Sequence, residues 1–233
     1  MKAAIIGAGS EALHTIEKAH EYGLTVVALD GNPHAEGLAV ADKALVVDIS
    51  DEKATIEAVK RSGVDFVLTV PIGRYLTTIG AVNEALGMPG ITKQMAENCT
   101  DKYAFHMKLN QQNLRNCTCY SLPQEAEKEL MVQFPAILKP RFGSGSRGIH
   151  YLESQEQLKD ALGLIGDEPY VLEECMEGEE YGVDGAVMDG QFYMVLLRKK
   201  NNTPLPNRQA VAYYSVCRKS QTNGTKTAQG YTR

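Results

Sequence analysis

AILKPRFGSGSRG, residues 136–148, is the most informative stretch of this sequence. Its apolar first half predicts a short buried strand ending at Lys139-Pro140, and its second half predicts a loop rich in glycine and serine. Backbone N–H groups of such a loop, close to a lysine, are typical of a turn that binds phosphate. Taken alone, however, a lysine at a strand end is more often solvated. The flanking segments therefore decide between the two interpretations.

Upstream, Asp101-Lys102 opens a predicted helix, and downstream the loop continues to Arg147. A triphosphate needs several positive charges together with N–H donors. Lys102, Lys139 and Arg147, with the loop amides, supply both. Each cation alone is more simply explained as solvated, but their order along the chain favours a nucleotide site.

The segment VLEECMEGEEYGVD, residues 171–184, predicts a strand followed by an acidic turn. A strand that carries Glu173 and Met176 offers backbone hydrogen bonds and an apolar face to an adenine ring. Glu180 is able to accept hydrogen bonds from both hydroxyls of a ribose. These residue types extend the predicted phosphate site to a whole nucleotide.

The order Asp-Lys, Ile-Leu-Lys-Pro, glycine-rich loop and EECMEGEEYGVD resembles the ATP-grasp superfamily, and the resemblance covers about residues 1–215. It implies a doubly wound, parallel-sheet pre-ATP-grasp domain followed by a partial α+β ATP-grasp region. It also implies that Lys102 and Lys139 hold the phosphates, while Glu173 lies at the adenine edge and Glu180 on the ribose. The loop residues that would close over the phosphates are Ser144, Gly145, Ser146 and Gly148.

The same resemblance implies a ligase that uses ATP and Mg²⁺. ATP would phosphorylate a small carboxylate, and an amine or similar nucleophile would displace phosphate from the acyl phosphate. No Asp or Glu follows Asp189, so the Mg²⁺ ligands that such enzymes carry downstream are not identifiable in this chain. Neutral amides such as Asn201 and Asn202 make a poor magnesium site beside a triphosphate. We therefore expect an ATP-grasp protein cut short, or else a non-catalytic nucleotide-binding fragment that a partner chain completes.

The first 95 residues alternate continuous apolar strands with amphipathic helices, which predicts a parallel sheet covered on both faces. The Asp189-Gly190 pair predicts a two-residue β-hairpin further along the chain. The expected units are a pre-ATP-grasp domain (1–95), a connecting helix and strand (96–122), a lid (123–172), the start of the C-terminal subdomain (173–215) and a tail (216–233).

A competing hypothesis rests on the first turn of that sheet. Gly7-Ala8-Gly9-Ser10-Glu11-Ala12 fits the G-x-G-x-x-G/A fingerprint, and Asp30 ends the next strand, as in NAD-dependent oxidoreductases. Glu11 would repel a phosphate, and any tight β–α turn favours small residues. We keep an NAD-dependent oxidoreductase as the less favoured alternative.

Composition excludes some classes of function. The chain has 233 residues and a net charge of −5, which argues against a dedicated nucleic-acid binder. No apolar run has the length of a membrane span, and the start of the chain lacks the features of a signal peptide. The five scattered cysteines read as reduced thiols on strands, so we expect a cytoplasmic protein. A homodimer remains open.

Overall fold

The structure is a computed structural model that describes residues 1–115, 118–123, 130–143, 147–176, 178–204 and 210–216. Its first sheet is parallel throughout, with the strand order β3-β2-β1-β4. The strands are β1 (Lys2–Ile6), β2 (Thr25–Asp30), β3 (Lys43–Val46) and β4 (Phe66–Leu68). The helices around it are α1 (Leu13–Glu21), α2 (Glu36–Val40), α3 (Glu52–Ser62) and α4 (Leu76–Leu86).

The central strand β1 is buried on both faces. Ala4 and Ile6 belong to the core under α3 and α4, whereas Ile5 packs with Ile16 of α1 on the other face. Alternate side chains of a strand point to opposite faces, so a continuous apolar strand requires this double cover. The predicted doubly wound α/β arrangement is confirmed.

The helix ends follow local chemistry. The Asp51 carboxylate accepts a hydrogen bond from Ala54 N at 3.0 Å, and α3 ends at Gly63 in the left-handed conformation. Ser10 is a residue type that favours an N-cap, and its place before an amphipathic run predicts that it caps α1; the structure shows otherwise. Gly9 precedes a 3-10 turn at Ser10–Ala12, and α1 begins only after it.

Two helices, α5 (Lys93–Thr100) and α6 (Lys102–Gln111), lead to a second sheet that is antiparallel throughout. Its strand order is β5-β8-β6-β7. The strands are β5 (Cys119–Leu122), β6 (Ala136–Pro140), β7 (His150–Leu152) and β8 (Tyr170–Glu174), with α7 (Gln155–Ile165) packed on them.

A third, antiparallel sheet has the order β11-β10-β9. Its strands are β9 (Tyr181–Met188), β10 (Gln191–Asn202) and β11 (Ala210–Ser215). The predicted hairpin turn is confirmed: Asp189 and Gly190 have φ of 51° and 75°, as a type I′ turn requires. Four successive residues of β10, 192–195, are exposed, so both faces of this sheet are open along them.

Several predictions need correction. The sequence pattern of residues 124–132 predicts a helix, which is wrong for residues 130–132, and the remainder of that segment lies outside the described residues. Cys99 is on the helix α5 rather than on a strand, while Cys117 and Cys217 lie outside the described residues. The domain boundaries stay a prediction, and the one at 172 falls inside β8. Within the described part of the chain, no helix is long and apolar enough to cross a membrane.

Candidate functional site

The predicted phosphate-binding lysines lie together. Lys139 is near the end of β6, and Lys102 is the first residue of α6. Both line a cavity of ≈ 240 Å³ whose wall also includes Arg147. The other described lining residues are Pro140, Phe142, Gly143 and Ile149. This volume suits a chain of phosphates rather than a whole nucleotide, since sites for larger ligands are usually above about 300 Å³.

Lys102 is held by the start of the glycine-rich loop. Its Nζ donates to the carbonyl oxygens of Pro140 and Gly143, both at 2.9 Å. Burial lowers the pKa of the Lys102 ammonium, and the charge of Lys139 lowers it further, while Glu173 opposes the shift. The two ammonium groups therefore repel each other, and an anion between them would relieve that repulsion.

Asp101 fixes the helix that presents Lys102. One carboxylate oxygen accepts hydrogen bonds from Tyr103 N and Ala104 N, at 3.0 and 3.1 Å, and so caps α6. The same carboxylate receives two bonds from Arg141, at 2.8 and 2.7 Å. Burial alone would raise the pKa of Asp101, but the Arg141 and backbone hydrogen bonds outweigh it and lower the pKa. Arg141 thus joins α6 to the end of β6.

A second arginine, Arg74, contacts the start of the glycine-rich loop and comes from the part of the chain that forms the first sheet. The Arg74 guanidinium carbon lies 3.9 Å from the centroid of the Phe142 ring, a cation–π contact. Phe142 is a lining residue of the phosphate-sized cavity. Neither Arg74 nor Arg141 was among the predicted site residues.

Glu173 is buried between two partners. Only 5% of the residue is exposed, and its carboxylate oxygens contact Lys139 Nζ and His106 Nε2. Burial alone would raise the pKa of Glu173, but the His106 hydrogen bond and the Lys139 charge lower it from 4.5 to about 2. Glu173 is therefore ionised in this structure and paired with a lysine. Its place at an adenine edge stays a prediction.

A set of three residues around Glu173 has the chemistry of metal ligands. Ligand atoms of His106, Cys119 and Glu173 lie within 4.8 Å of one another, and all three residues are buried. The strand register places Cys119 directly opposite Glu173. Lys139 puts a positive charge on the same carboxylate, which opposes a cation there.

Glu180 lies at a different cavity, of ≈ 280 Å³, beside the start of β9. Its carboxylate accepts hydrogen bonds from Lys200 Nζ and Asn202 Nδ2, both at 2.6 Å. Met176 is 56% exposed. The described residues place neither Glu180 nor Met176 in the wall of the phosphate-sized cavity.

Gly148 also lies outside that wall and serves close packing. With φ of 69°, a Cβ there would lie 2.9 Å from Tyr170 Oη and 3.0 Å from Pro140 Cγ. The remaining predicted loop residues, Ser144, Gly145 and Ser146, lie outside the described residues.

Residues 99–217, just over half of the chain, match the ATP-grasp domain. The chain belongs to the ATP-grasp family. A D-alanine–D-alanine ligase from Clostridium perfringens (strain SM101) is 28% identical over 167 residues, which are 67% of this chain and 54% of that protein. The chain spans about half or less of the length of the curated relatives it matches.

Solved structures share the fold. An L-amino acid ligase from Bacillus licheniformis superimposes with a TM-score of 0.77 at 20% identity, covering 94% of this chain and 55% of that one. An N5-carboxyaminoimidazole synthetase from Staphylococcus aureus, complexed with ADP, gives a TM-score of 0.72 at 19% identity. That match covers 87% of this chain and 55% of the synthetase. The mixed α/β architecture is therefore that of ATP-grasp proteins.

The glycine turn of this ATP-grasp chain has a structural role. Ala8 N donates to Asp30 Oδ2 at 2.7 Å, so the carboxylate that an NAD ribose would need already closes the turn. Gly37 of α2 packs against the same turn, and its N–H donates to Ala8 O at 2.7 Å. A Cβ on Gly7 would overlap Ile72 Cγ2. These contacts explain the small residues without a dinucleotide.

The two carboxylates of the predicted nucleotide site, Glu173 and Glu180, are poorly placed to bind Mg²⁺ in this ATP-grasp chain. The Glu173 carboxylate contacts Lys139 and His106, and the Glu180 carboxylate accepts hydrogen bonds from Lys200 and Asn202. Mg²⁺ in nucleotide sites usually takes one or two carboxylates together with phosphate oxygens. Each of these two carboxylates contacts donors of this chain instead.

Proposed function

We propose that this chain binds ATP, with the triphosphate between Lys102, Lys139 and Arg147. The observation that carries the proposal is the cavity of ≈ 240 Å³ that these three cations line. A cavity lined by three cations favours a polyanion of about this size. The ADP bound in the Staphylococcus aureus synthetase supports the same ligand class.

We propose further that the reaction served by this site is the formation of an acyl phosphate. A carboxylate oxygen of the substrate attacks the γ-phosphorus, and the bond to the bridging oxygen breaks as ADP leaves. An amine then attacks the acyl carbon, inorganic phosphate leaves, and the amine loses a proton. The three cations would neutralise charge on the phosphates and hold them in line, which is the main contribution of a protein to phosphoryl transfer.

Nucleotide-dependent thermal stability tests the binding proposal. Saturating ATP with Mg²⁺ raises Tm by several degrees, because a ligand at about 100 times its Kd adds about 2.7 kcal/mol to stability. The shift is lost in Lys139→Met and in Lys102→Met. Lys159→Met, a lysine on α7 outside this cavity, keeps it. NADH gives no shift. An unchanged shift in both cavity variants would refute the assignment.

A second candidate is a nucleotide-binding module that another polypeptide completes. Two observations favour it: the sequence from Gly190 to Arg233 has eight basic and no acidic residues, and residues 192–195 leave both faces of the third sheet open. An acidic, apolar partner segment would complement both features. The purified chain would then bind ATP without releasing phosphate. Steady ADP production by the chain alone would contradict this candidate and support the ligase.

A further inference from the structure

His106 is a buried histidine at the edge of the proposed phosphate site. It lies on α6, only 3% exposed, and its Nε2 contacts the Glu173 carboxylate. We take Nε2 as the nitrogen that carries the proton, because a bare ring nitrogen would repel a carboxylate oxygen. A buried donor of this kind is costly unless it is paired, so its partner Glu173 is part of its function.

Each carboxylate oxygen of Glu173 contacts a different nitrogen donor. Oε1 contacts Lys139 Nζ, and Oε2 contacts His106 Nε2. The other groups near this carboxylate are the Cys119 thiol from β5 and the charge of Lys102 at the start of α6. A buried carboxylate needs such compensation, since an isolated one costs several kcal/mol.

Lys139 takes part both in the buried ion pair with Glu173 and in the wall of the phosphate-sized cavity. It neutralises Glu173, and it lines the phosphate-sized cavity with 20% of its side chain exposed. When its ammonium turns to a phosphate, Oε1 loses its main counter-charge while the carboxylate stays buried. Something must then hold Glu173 in place.

We infer that His106 is a positioning residue: it keeps the Glu173 carboxylate compensated and fixed while Lys139 turns to the phosphates of the nucleotide. This inference rests on the proposed binding of ATP. The Lys139–Glu173–His106 chain would let the lysine change partners without leaving a bare buried charge. His106 would thereby lower the cost of nucleotide binding without touching the nucleotide.

The test is ATP affinity in histidine variants, measured by calorimetry. His106→Leu removes the donor, and ATP binds roughly tenfold or more weakly, as expected for a lost bond to a charged group. His106→Gln keeps a donor amide and restores most of the affinity. His150→Leu, at a histidine on β7, is the matched control and binds ATP as the wild type does. Tm without nucleotide monitors folding, and His106→Met, which also lacks a donor, replaces the leucine variant if that variant does not fold.

A double-mutant cycle separates positioning from packing. In a Glu173→Gln background, His106→Leu causes no further loss, because there is no carboxylate left to hold. Equal losses in both backgrounds, failure of His106→Gln to rescue, or wild-type affinity in His106→Leu would each overturn the inference while the ATP site stands. Absence of ATP binding by the wild type would instead refute the proposed function and, with it, this role of His106.

Discussion

Asp101 caps a helix and pairs with an arginine through one carboxylate. The cap needs only an acceptor oxygen, whereas the Arg141 pair needs the negative charge. Asp101→Asn should therefore keep the cap and lose the pair, at a cost of roughly 2–3 kcal/mol, because a half-buried guanidinium is left unpaired. Asp101→Ala should lose a further ~1 kcal/mol for the cap. Urea unfolding measures both costs.

Ser154→Ala is the matched control for the cap. Ser154 accepts a hydrogen bond from Gln157 N at 3.3 Å at the start of α7 and makes no ion pair. Its loss should cost ~1 kcal/mol. If Asp101→Asn were as stable as the wild type, the Arg141 pair would contribute nothing to the fold.

We expect Glu173 to make the free energy of unfolding decrease at acidic pH. Its pKa is lowered from 4.5 to about 2 in the folded chain, so the ionised carboxylate stabilises the fold above pH 4.5. That contribution, on the order of 3 kcal/mol, is lost as pH falls from 4.5 toward 2. Urea unfolding at a series of pH values should show this slope in the wild type and a flatter one in Glu173→Gln. Equal slopes would contradict the assignment.

At the scale of elements, the turn between β1 and α1 makes different demands on its two glycines. Gly7 has φ of 90° and no room for a Cβ, because Ile72 occupies the space. Gly9 has φ of −69° and no atom within 4 Å of a Cβ position. Gly7→Ala should cost roughly 1–3 kcal/mol or more, whereas Gly9→Ala should be close to neutral.

Thermal unfolding of the two alanine variants checks this difference. A large loss at Gly9 would revive the idea that this position approaches a ligand, since a turn that only packs tolerates alanine there. Similar stability of both variants would contradict the packing role of Gly7.

Elements with a strong local signal were predictable from the sequence. Continuous apolar runs predict β1, β2 and β8, and a glycine after an amphipathic run predicts the helix ends at Gly63 and Gly87, which are both left-handed in the structure. We did not predict α5, because Ala96 is its one buried residue in the described structure and it lacks an apolar stripe. The strand β11 was missed as well, since its pairing with β10 is a long-range property.

The residues of the candidate site also differ in whether the sequence alone predicts them. Lys102 and Lys139 were predictable because they stand in ordered motifs, and the structure brings them to one cavity. Arg141 and His106 were not, although Arg141 directly follows Lys139-Pro140. Their partners, Asp101 and Glu173, are remote in sequence, and pairing between distant segments leaves no local pattern.

At the scale of the whole molecule, the three sheets differ in how well they are covered. The first two have buried cores, whereas the third exposes apolar side chains such as Met194 and Val195, at 59% and 77%. Large exposed apolar patches favour association. We expect the chain to self-associate with increasing concentration when nothing else covers this sheet.

Sedimentation velocity measures this association. Val195→Lys, on the exposed stretch of β10, should shift the chain toward the monomer. Tyr22→Lys is the matched control, since Tyr22 is 83% exposed beside α1, away from the third sheet, and should have no effect. A monomer at all concentrations, or equal effects of both variants, would contradict the role of this sheet.

The contacts that hold Lys102 have a consequence for selectivity. Two main-chain oxygens accept hydrogen bonds from its ammonium, while Glu173 pairs with that of Lys139. These groups act as built-in competitors that an incoming anion must displace together. If the cavity binds phosphates as proposed, a monophosphate would carry too little charge to displace them all, whereas a triphosphate would replace each one. The site would then respond to a threshold of ligand charge and remain closed to AMP at concentrations that saturate it with ATP.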